Sequence, residues 1–256
     1  MARDVPRPGV PPPVLRLTRT STVHLIATEL RTAIFTGALP VGSPLGEVEL
    51  AAQLGVSRGP LREAAQRLVQ EGVLTSVPGR GMKVSEITAD EVVDVYEARL
   101  AVEGHAAARI IRDGRTSAVD AIERALDDLR QAMRRETAIE IGDADLAFHQ
   151  TLVDASGSYR LSRAMATLAL ETRIATFSLP GGYSVRRSVS SSYGDLLAAL
   201  RAGDEPAARW ALDAQFRAAI KRLRGEDTSV ETVETAANEL PTVIARIDLA
   251  TAPDAP

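Results

Sequence analysis

The run from Glu49 to Glu71, ELAAQLGVSRGPLREAAQRLVQE, constrains the fold of this chain most strongly, because it predicts two short helices joined by a tight turn. Leucine and alanine recur at helical spacing up to Leu54, and Gly55 tolerates the left-handed backbone that commonly ends a helix. Ser57 is a favourable N-cap for a second helix that begins at Arg58. Two short helices around such a corner are typical of a helix-turn-helix.

The second helix has two faces of different chemistry. Its apolar residues form a stripe that suits a protein core, at Leu61, Ala64, Ala65, Leu68 and Val69. Arg58 and Arg62 lie one turn apart on another face. In helix-turn-helix proteins this part of the second helix enters the major groove, where arginine bonds guanine or clamps phosphates. The alternative is that both arginines are solvated surface charges, paired with Glu63 or Gln66.

The flanking segments favour DNA binding over that alternative. An amphipathic helix is predicted upstream, with apolar residues at Val23, Ile26, Leu30 and Ile34. Downstream, Leu74–Val77 and Met82–Val84 flank Pro78–Gly81, a pattern that predicts a small β-hairpin with a basic tip. A hairpin in this position would form the wing of a winged helix-turn-helix.

The segment from Leu30 to Val84 resembles the winged helix-turn-helix domain of the GntR family of bacterial transcription regulators. The resemblance lies in LRTAIFTGALPVGSPL, then in ELAAQLGVSRGPLREAAQRLVQEGVL, and then in PGRGMKV. Two departures are mild: Val41 stands where the family often has proline, and Leu61 stands where it has valine. The resemblance implies that Arg58 and Arg62 contact operator DNA from the recognition helix.

The same resemblance implies roles for four further residues. Ser57 would cap the recognition helix near the phosphates, and Gly79 would let the tip of the wing approach the minor groove. Arg80 and Lys83 are further candidates for phosphate contact. The expected DNA-binding residues are therefore Ser57, Arg58, Arg62, Gly79, Arg80 and Lys83.

Charge is divided unevenly along the chain. The formal net charge is −4, but residues 1–85 hold ten Arg or Lys against six Asp or Glu, so this part carries about +4 and the remainder about −8. A basic N-terminal part joined to an acidic remainder fits a DNA-binding protein. We expect residues 1–20 to be a disordered, basic, proline-rich arm and residues 21–85 to be the winged domain.

The remainder of the chain shows helical periodicity with almost no strand signal. Helices are predicted near 89–111, 117–136, 138–156, 159–177, 186–202 and 204–223. The expected fold class is thus mainly α, with an N-terminal winged helix-turn-helix and its small hairpin followed by an all-α helical bundle over residues 89–224. Residues 225–256 are expected to be a mostly flexible tail, with a short helix considered near 239–248.

The second half resembles the effector-binding bundle, of the FCD type, of the FadR subfamily. The similar segments are Tyr96–Arg99 with Glu103, Asp145–His149, Ala155–Gly157, and Leu196–Asp204 followed by Ala207 and Ala208. This resemblance implies a domain that binds a small metabolite and forms a homodimer, so that two winged domains read two half-sites of double-stranded DNA.

A metal site is the most distinctive property of many bundles in this subfamily, which hold a divalent ion with an aspartate, a histidine four residues later and two further histidines. Asp145 and His149 keep the first pair on one helix face. Tyr193 and Gln215 stand at the other two positions. Because two donors rarely hold a transition metal tightly, we expect no tightly bound metal, with Asp145 and His149 as the residual candidate ligands, and no other cofactor. Instead, His149 is expected to bond Asp145 or Tyr193.

Arginines of the bundle are candidates for binding an effector carboxylate. Arg99 either pairs with Glu103 one turn away or receives that carboxylate through a bidentate contact, and Arg173 is a second candidate. The expected effector-binding residues are Arg99, Asp145, His149, Arg173, Tyr193 and Gln215.

Composition excludes several classes of function. Without cysteine, the chain has no disulfide, thiolate metal site or cysteine nucleophile. It lacks the roughly 20 continuous apolar residues of a membrane span, and its start lacks the apolar core of a signal peptide, so a cytoplasmic protein is expected. We interpret the chain as a transcription regulator and not an enzyme. The alternatives are a constitutive DNA-binding dimer without effector response and a metal-dependent enzyme.

Overall fold

The computed structural model describes residues 21–135, 137–178, 184–186, 188–226 and 232–234. The N-terminal part contains α1 (Thr22–Phe35), α2 (Glu47–Gln53), α3 (Arg58–Gln70), β1 (Leu74–Val77) and β2 (Gly81–Val84). The second part contains α4 (Ala89–Arg112), α5 (Thr116–Arg135), α6 (Ala138–Ala155), α7 (Tyr159–Phe177), β3 (Ser184–Arg186), α8 (Ser191–Ala202), α9 (Glu205–Leu223) and β4 (Thr232–Glu234). This order confirms the mainly α fold class with a hairpin after the N-terminal helices. The arm at 1–20 and the helix considered near 239–248 lie outside the described residues.

The N-terminal helices pack around one apolar core. Helix α1 packs on α3, and α2 also contacts α3. Leu30 and Ile34 of α1 and Leu61 and Leu68 of α3 are buried in this core. Gly55 follows α2 with a φ of +64°, which confirms the left-handed turn, and Val56 packs partly buried against the core. The corner between α2 and α3 is therefore the one that the sequence predicts.

The hairpin is antiparallel, with Leu74 opposite Val84 and Val77 opposite Gly81. Its tip contains Gly79 with a φ of +72°, a backbone conformation that favours glycine. The strand β2 also bridges to the segment between α1 and α2, through Pro44 opposite Lys83. The wing is thus attached to the helical core on one side and free at its tip.

Helix α4 lies at the centre of the second part, because it packs against α6, α7, α8 and α9. Its start is fixed by a capping box, in which the Thr88 side chain accepts from the Glu91 backbone and the Glu91 carboxylate accepts from the Thr88 backbone. Thr137 and Glu140 form the same motif at the start of α6. These caps fix the starts of the two helices that carry the buried residues Arg99, Glu103 and His149.

Two short strands correct the prediction of a second part without strands. Strand β3 pairs antiparallel with β4, so that Ser184 lies opposite Glu234. The helix predicted at 186–202 begins instead at Ser191, where Ser190 caps it by accepting from the Ser192 backbone. Residues 232–234, predicted to be part of a flexible tail, belong to this sheet. Hydrophobic periodicity did not indicate these strands, because each is three residues long and its partner is distant in sequence.

The two parts of the molecule meet at the end of α7. The Ile87 backbone N–H, between the hairpin and α4, donates to Ser178 Oγ at 3.2 Å. A Cβ placed on Gly37, just after α1, would lie 3.9 Å from the Phe177 ring. Helices α1 and α7 are therefore in contact. Over the described ranges, no helix is long and apolar enough to cross a membrane.

Candidate DNA interface and ligand cavity

The two arginines of helix α3 are exposed while the opposite face of the helix is buried. The Arg58 side chain is 60 % exposed and the Arg62 side chain 61 %. On the other face, Leu61 and Leu68 are completely buried. The two-faced helix predicted from the sequence therefore forms, and both guanidinium groups are accessible to a partner.

Both arginines lie near one carboxylate, that of Glu47 on α2. Arg62 Nε donates to Glu47 Oε2 at 2.7 Å, and Arg58 Nη2 lies 4.0 Å from the same oxygen. The alternative weighed for these arginines named Glu63 or Gln66 as the partner, whereas the bonded carboxylate comes from the neighbouring helix. The hydrogen bond engages Nε of Arg62, so its two terminal Nη groups remain for another acceptor.

Ser57 stands at the N-cap position of α3, but its side chain makes no capping hydrogen bond. Its backbone is extended, as an N-cap requires, with φ −79° and ψ 159°. The first backbone N–H groups of a helix have no partner within the helix and favour anions. The start of α3 therefore offers amide donors next to Arg58, an arrangement that suits a phosphate.

The wing presents its two basic residues differently. Gly79 and Arg80 are exposed at the tip. Lys83 is half-buried within β2, where it lies opposite Thr75 on one side and Pro44 on the other. Of the two, Arg80 is the more accessible to a second molecule.

A cavity of about 610 Å³, including its open mouth, lies in the second part between α4, α6, α8 and α9. It is lined by five of the six residues predicted to bind an effector, namely Arg99, Asp145, His149, Tyr193 and Gln215. Arg173 does not line it within the described part of the chain. That side chain instead donates to Ile139 O at 3.3 Å and to the Asp143 carboxylate, so it joins α7 to α6.

A buried charge network lies beside the cavity and includes its lining residues Arg99 and His149. Arg99 is 1 % exposed, and its Nε donates to Glu103 Oε1 at 2.9 Å. The other oxygen of Glu103 lies 2.5 Å from His149 Nδ1. Burial opposes ionisation of Glu103, but attraction to His149 and Arg99, with their hydrogen bonds, outweighs burial and lowers the pKa of Glu103. The bridging carboxylate is therefore held in its charged form.

Arg99 takes the first of the two roles weighed for it from the sequence, the ion pair with Glu103. Besides Glu103, it contacts Thr172 Oγ1 through Nη1 at 3.4 Å, and its guanidinium lies 4.7 Å from the centroid of the Phe216 ring. Its Nη2 is buried and has no hydrogen-bond partner among the described residues. One donor of this buried cation is therefore unsatisfied within the described structure.

Tyr193 and Gln215 stand at the positions where the related bundles have histidine, and each side chain donates a hydrogen bond there. The Tyr193 hydroxyl donates to Asp145 Oδ1, and burial together with that carboxylate raises the pKa of Tyr193 well above its ordinary value. Gln215 Nε2 donates to Ser192 O at 3.0 Å, while its Oε1 has no partner among the described residues. His149 bonds Glu103, not Asp145 or Tyr193 as predicted; its Nε2 lies 3.8 Å from Asp145.

The sequence reasoning missed several lining residues, of which Tyr96 and Arg222 have polar side chains on the central and last helices. Tyr96 precedes Arg99 on α4, and Arg222 lies near the end of α9. The Arg222 Nε is buried and has no hydrogen-bond partner within the described ranges. Helical spacing could have identified Arg222, because it follows Gln215 by two turns and therefore shares its face.

Comparisons with known proteins agree with both parts of this geometry. Residues 22–84 match the model of the family "Bacterial regulatory proteins, gntR family", and residues 94–218 match the FCD domain. A relative from Agrobacterium vitis, an uncharacterized HTH-type transcriptional regulator in the TAR-I ttuE-ttuC' intergenic region, is 32 % identical over 127 residues, which are 48 % of this chain and 74 % of the relative. The chain belongs to the GntR family.

Other relatives of this GntR-family chain extend over most of its length. A probable D-xylose utilization operon transcriptional repressor from Paenarthrobacter nicotinovorans is 28 % identical over 77 % of this chain and 86 % of the relative. Among solved structures, McbR/YncC of E. coli superposes with a TM-score of 0.65 at 23 % identity, over 81 % of this chain and 99 % of the other, which shows a shared fold. The protein is a DNA-binding transcription regulator with an effector-binding C-terminal region, and not an enzyme.

The residues of the cavity do not fit the metal ion held by many FCD bundles. Among the described residues, no three His, Cys, Asp or Glu side chains are grouped so that they could hold a metal. Asp145 and His149 remain, but Tyr193 uses its proton to bond Asp145, and Gln215 bonds the backbone of α8. A neutral phenol and an amide are poor replacements for two imidazoles.

Proposed function

We propose that the effector of this GntR-family regulator is a small carboxylate that binds Arg99 in the cavity without a metal ion. One observation carries the proposal: Arg99 Nη2 is buried beside an open cavity and has no hydrogen-bond partner among the described residues. Leaving a buried charged donor unsatisfied costs about 1–3 kcal/mol or more. A ligand carboxylate would recover that free energy through a charge-assisted hydrogen bond.

The other groups of the cavity define the rest of the ligand. Within the described ranges, Arg222 Nε is a second donor without a partner, so that two cationic side chains face the same space. Gln215 Oε1 is an acceptor without a partner in the same part of the chain, which suits a hydroxyl group of the ligand. Ile141, Val185 and Phe216 contribute apolar lining. A short hydroxycarboxylate satisfies all of these groups.

Calorimetric titration of the purified protein with a series of two- to six-carbon hydroxycarboxylates, each with its neutral amide, tests the proposal. At least one carboxylate should bind, and its amide should bind at least about tenfold more weakly, since the amide lacks the charge. Arg222→Gln should weaken binding of the carboxylate by a similar factor. The matched control is Arg217→Gln, because Arg217 lies on the same helix but its exposed side chain pairs with Asp213. Equal binding of acid and amide would refute the proposal.

Helix α7 connects the proposed ligand site to the DNA-binding part. Thr172 of α7 accepts from Arg99 Nη1, and the end of the same helix meets Ile87 and the turn after α1. We infer that a ligand on Arg99 changes the placement of α7 and thereby the relative placement of the DNA-binding parts. In a dimer whose recognition helices lie about one DNA turn apart, a small change of this kind lowers operator affinity.

The contacts with operator DNA belong to the same proposal. The winged region, residues 21–85, would place Arg58 and Arg62 in the major groove, with Ser57, Gly79, Arg80 and Lys83 along the phosphates or minor groove. The bundle, residues 89–224, would hold two copies together so that they read two half-sites in the cytoplasm, where the chromosome lies. Light scattering of the purified protein and footprinting of the DNA that it selects test these statements: a monomer, or a single protected half-site, would refute the dimer.

A further inference from the structure

Glu47 is a largely buried acidic side chain beside the two arginines of the proposed DNA-binding surface. It is the first residue of α2, and its side chain is 12 % exposed, whereas those of Arg58 and Arg62 are five times as exposed. An acidic group so close to DNA opposes binding through its charge. Its position therefore indicates a role other than increasing the affinity for DNA.

The geometry points to a role for Glu47 as the positioning residue of Arg62, one that makes the protein discriminate between DNA sequences. The 2.7 Å hydrogen bond ties Nε of Arg62 to α2. A guanidinium is a rigid planar fork, and a bond at Nε fixes the direction in which its two Nη donors point, as bidentate bonding to guanine O6 and N7 requires. This inference rests on the proposed contact between Arg62 and the operator.

Two physical effects of this contact act in the same direction. An exposed arginine loses side-chain freedom when it docks, and the bond to Glu47 removes part of that freedom beforehand, so the specific complex gains. On other sequences, the Glu47 carboxylate neutralises part of the attraction between Arg62 and any phosphate, so nonspecific binding weakens. Both effects raise the ratio of operator affinity to nonspecific affinity.

Glu47 also has a structural role, which the test must separate from positioning. As the first residue of α2 it stabilises the positive end of that helix, whose N-cap Gly46 offers no side chain. Glu49 lies in the same first turn and carries the same charge, but it is exposed, and no ion pair or hydrogen bond joins it to either recognition arginine in the described structure. Glu49→Gln is therefore the matched control for Glu47→Gln.

The measurement compares two duplexes of equal length and composition. One is the sequence that the wild-type protein enriches from a random library, and the other is its scrambled version. For Glu47→Gln, the ratio of the two affinities should fall about tenfold, with part of the change coming from tighter binding to the scrambled duplex. For Glu49→Gln the ratio should stay within about twofold of wild type. Circular dichroism at the assay temperature checks that every variant is folded.

A double-mutant cycle with Arg62→Ala distinguishes positioning from helix stabilisation. If Glu47 acts through Arg62, adding Glu47→Gln to Arg62→Ala changes the ratio by less than about twofold. The inference is overturned if Glu47→Gln keeps the wild-type ratio, or if it lowers the ratio equally with and without Arg62. An Arg62→Ala variant that keeps full discrimination would instead refute the proposed contact between Arg62 and the operator.

Discussion

Two arginine–glutamate pairs, one in each part of the molecule, show how burial changes the meaning of the same contact. Arg62 and Glu47 join α3 to α2 at the surface, with the arginine 61 % exposed. Arg99 and Glu103 lie one turn apart on α4, with side chains 1 % and 0 % exposed. Ion pairs with an exposed partner contribute roughly 0–1 kcal/mol to stability, since water competes for the exposed charge. Glu47 is 12 % exposed and its bond uses only Nε of Arg62, so the two Nη groups can bind DNA while the pair stays intact.

The buried pair of Arg99 and Glu103 has no access to water or to DNA. Its two charges are removed from water and depend on each other and on His149 for compensation. Breaking such a pair leaves an uncompensated buried charge, whereas the surface pair only returns its charges to solvent. The same residue types therefore provide a contact of small stabilising effect in the DNA-binding part and a contact on which the fold depends beside the cavity.

The largest expected effect comes from removing the buried carboxylate. Glu103→Ala should lower the free energy of unfolding by about 3–5 kcal/mol, because Arg99 and His149 lose their shared partner. Glu47→Ala should lower it by no more than about 1 kcal/mol. Urea unfolding followed by circular dichroism measures both. Equal losses for the two variants would break the distinction between the pairs.

The exposed arginines should show the reverse behaviour, with a large effect on DNA binding and a small effect on stability. Arg58→Ala and Arg62→Ala should each weaken operator binding by about 1–3 kcal/mol if they contact bases. Their unfolding midpoints should stay close to wild type. Arg160→Ala removes an exposed arginine of α7 and serves as the charge-matched control. Unchanged operator affinity in both α3 variants would refute their assignment.

The sequence predicted the DNA-binding part more completely than the cavity, for a physical reason. The corner at Gly55, the two faces of α3 and the hairpin follow from neighbouring residues, because each is a local pattern. The partner of His149 is Glu103, 46 positions away, and the partner of Arg62 is Glu47, 15 positions away on another helix. Contacts of this kind depend on how helices pack, which periodicity does not specify.

Arg173 and Arg222 illustrate the same limit within the cavity. Both are arginines on helices of the bundle, and the sequence reasoning chose Arg173 as an effector residue. Packing turns Arg173 toward Asp143 and brings Arg222 to the cavity. In contrast, the pairing of Arg99 with Glu103, one turn apart on a single helix, was among the alternatives weighed and is confirmed.

Acid should weaken the buried network in a defined pH range. Because the pKa of Glu103 is lower in the folded than in the unfolded protein, its contribution to stability is fully present above the unfolded value, about 4.3, and is lost as pH falls through the folded value. The free energy of unfolding of wild type should therefore decline below about pH 4. Glu103→Gln should show a shallower decline there. Parallel curves for the two proteins would contradict the depressed pKa of Glu103.

The smallest expected effects concern the wing, where two basic residues differ in their exposure to a second molecule. Arg80 at the tip is exposed, whereas Lys83 is half-buried between Thr75 and Pro44. If Arg80 contacts a phosphate, Arg80→Ala should weaken all duplexes equally and reduce the slope of log affinity against log salt by about 1. Lys83→Ala should change that slope less, because its position in β2 limits its reach. Titration of the operator at several salt concentrations measures both slopes, and a larger change for Lys83→Ala would place the phosphate along the strand and not at the tip.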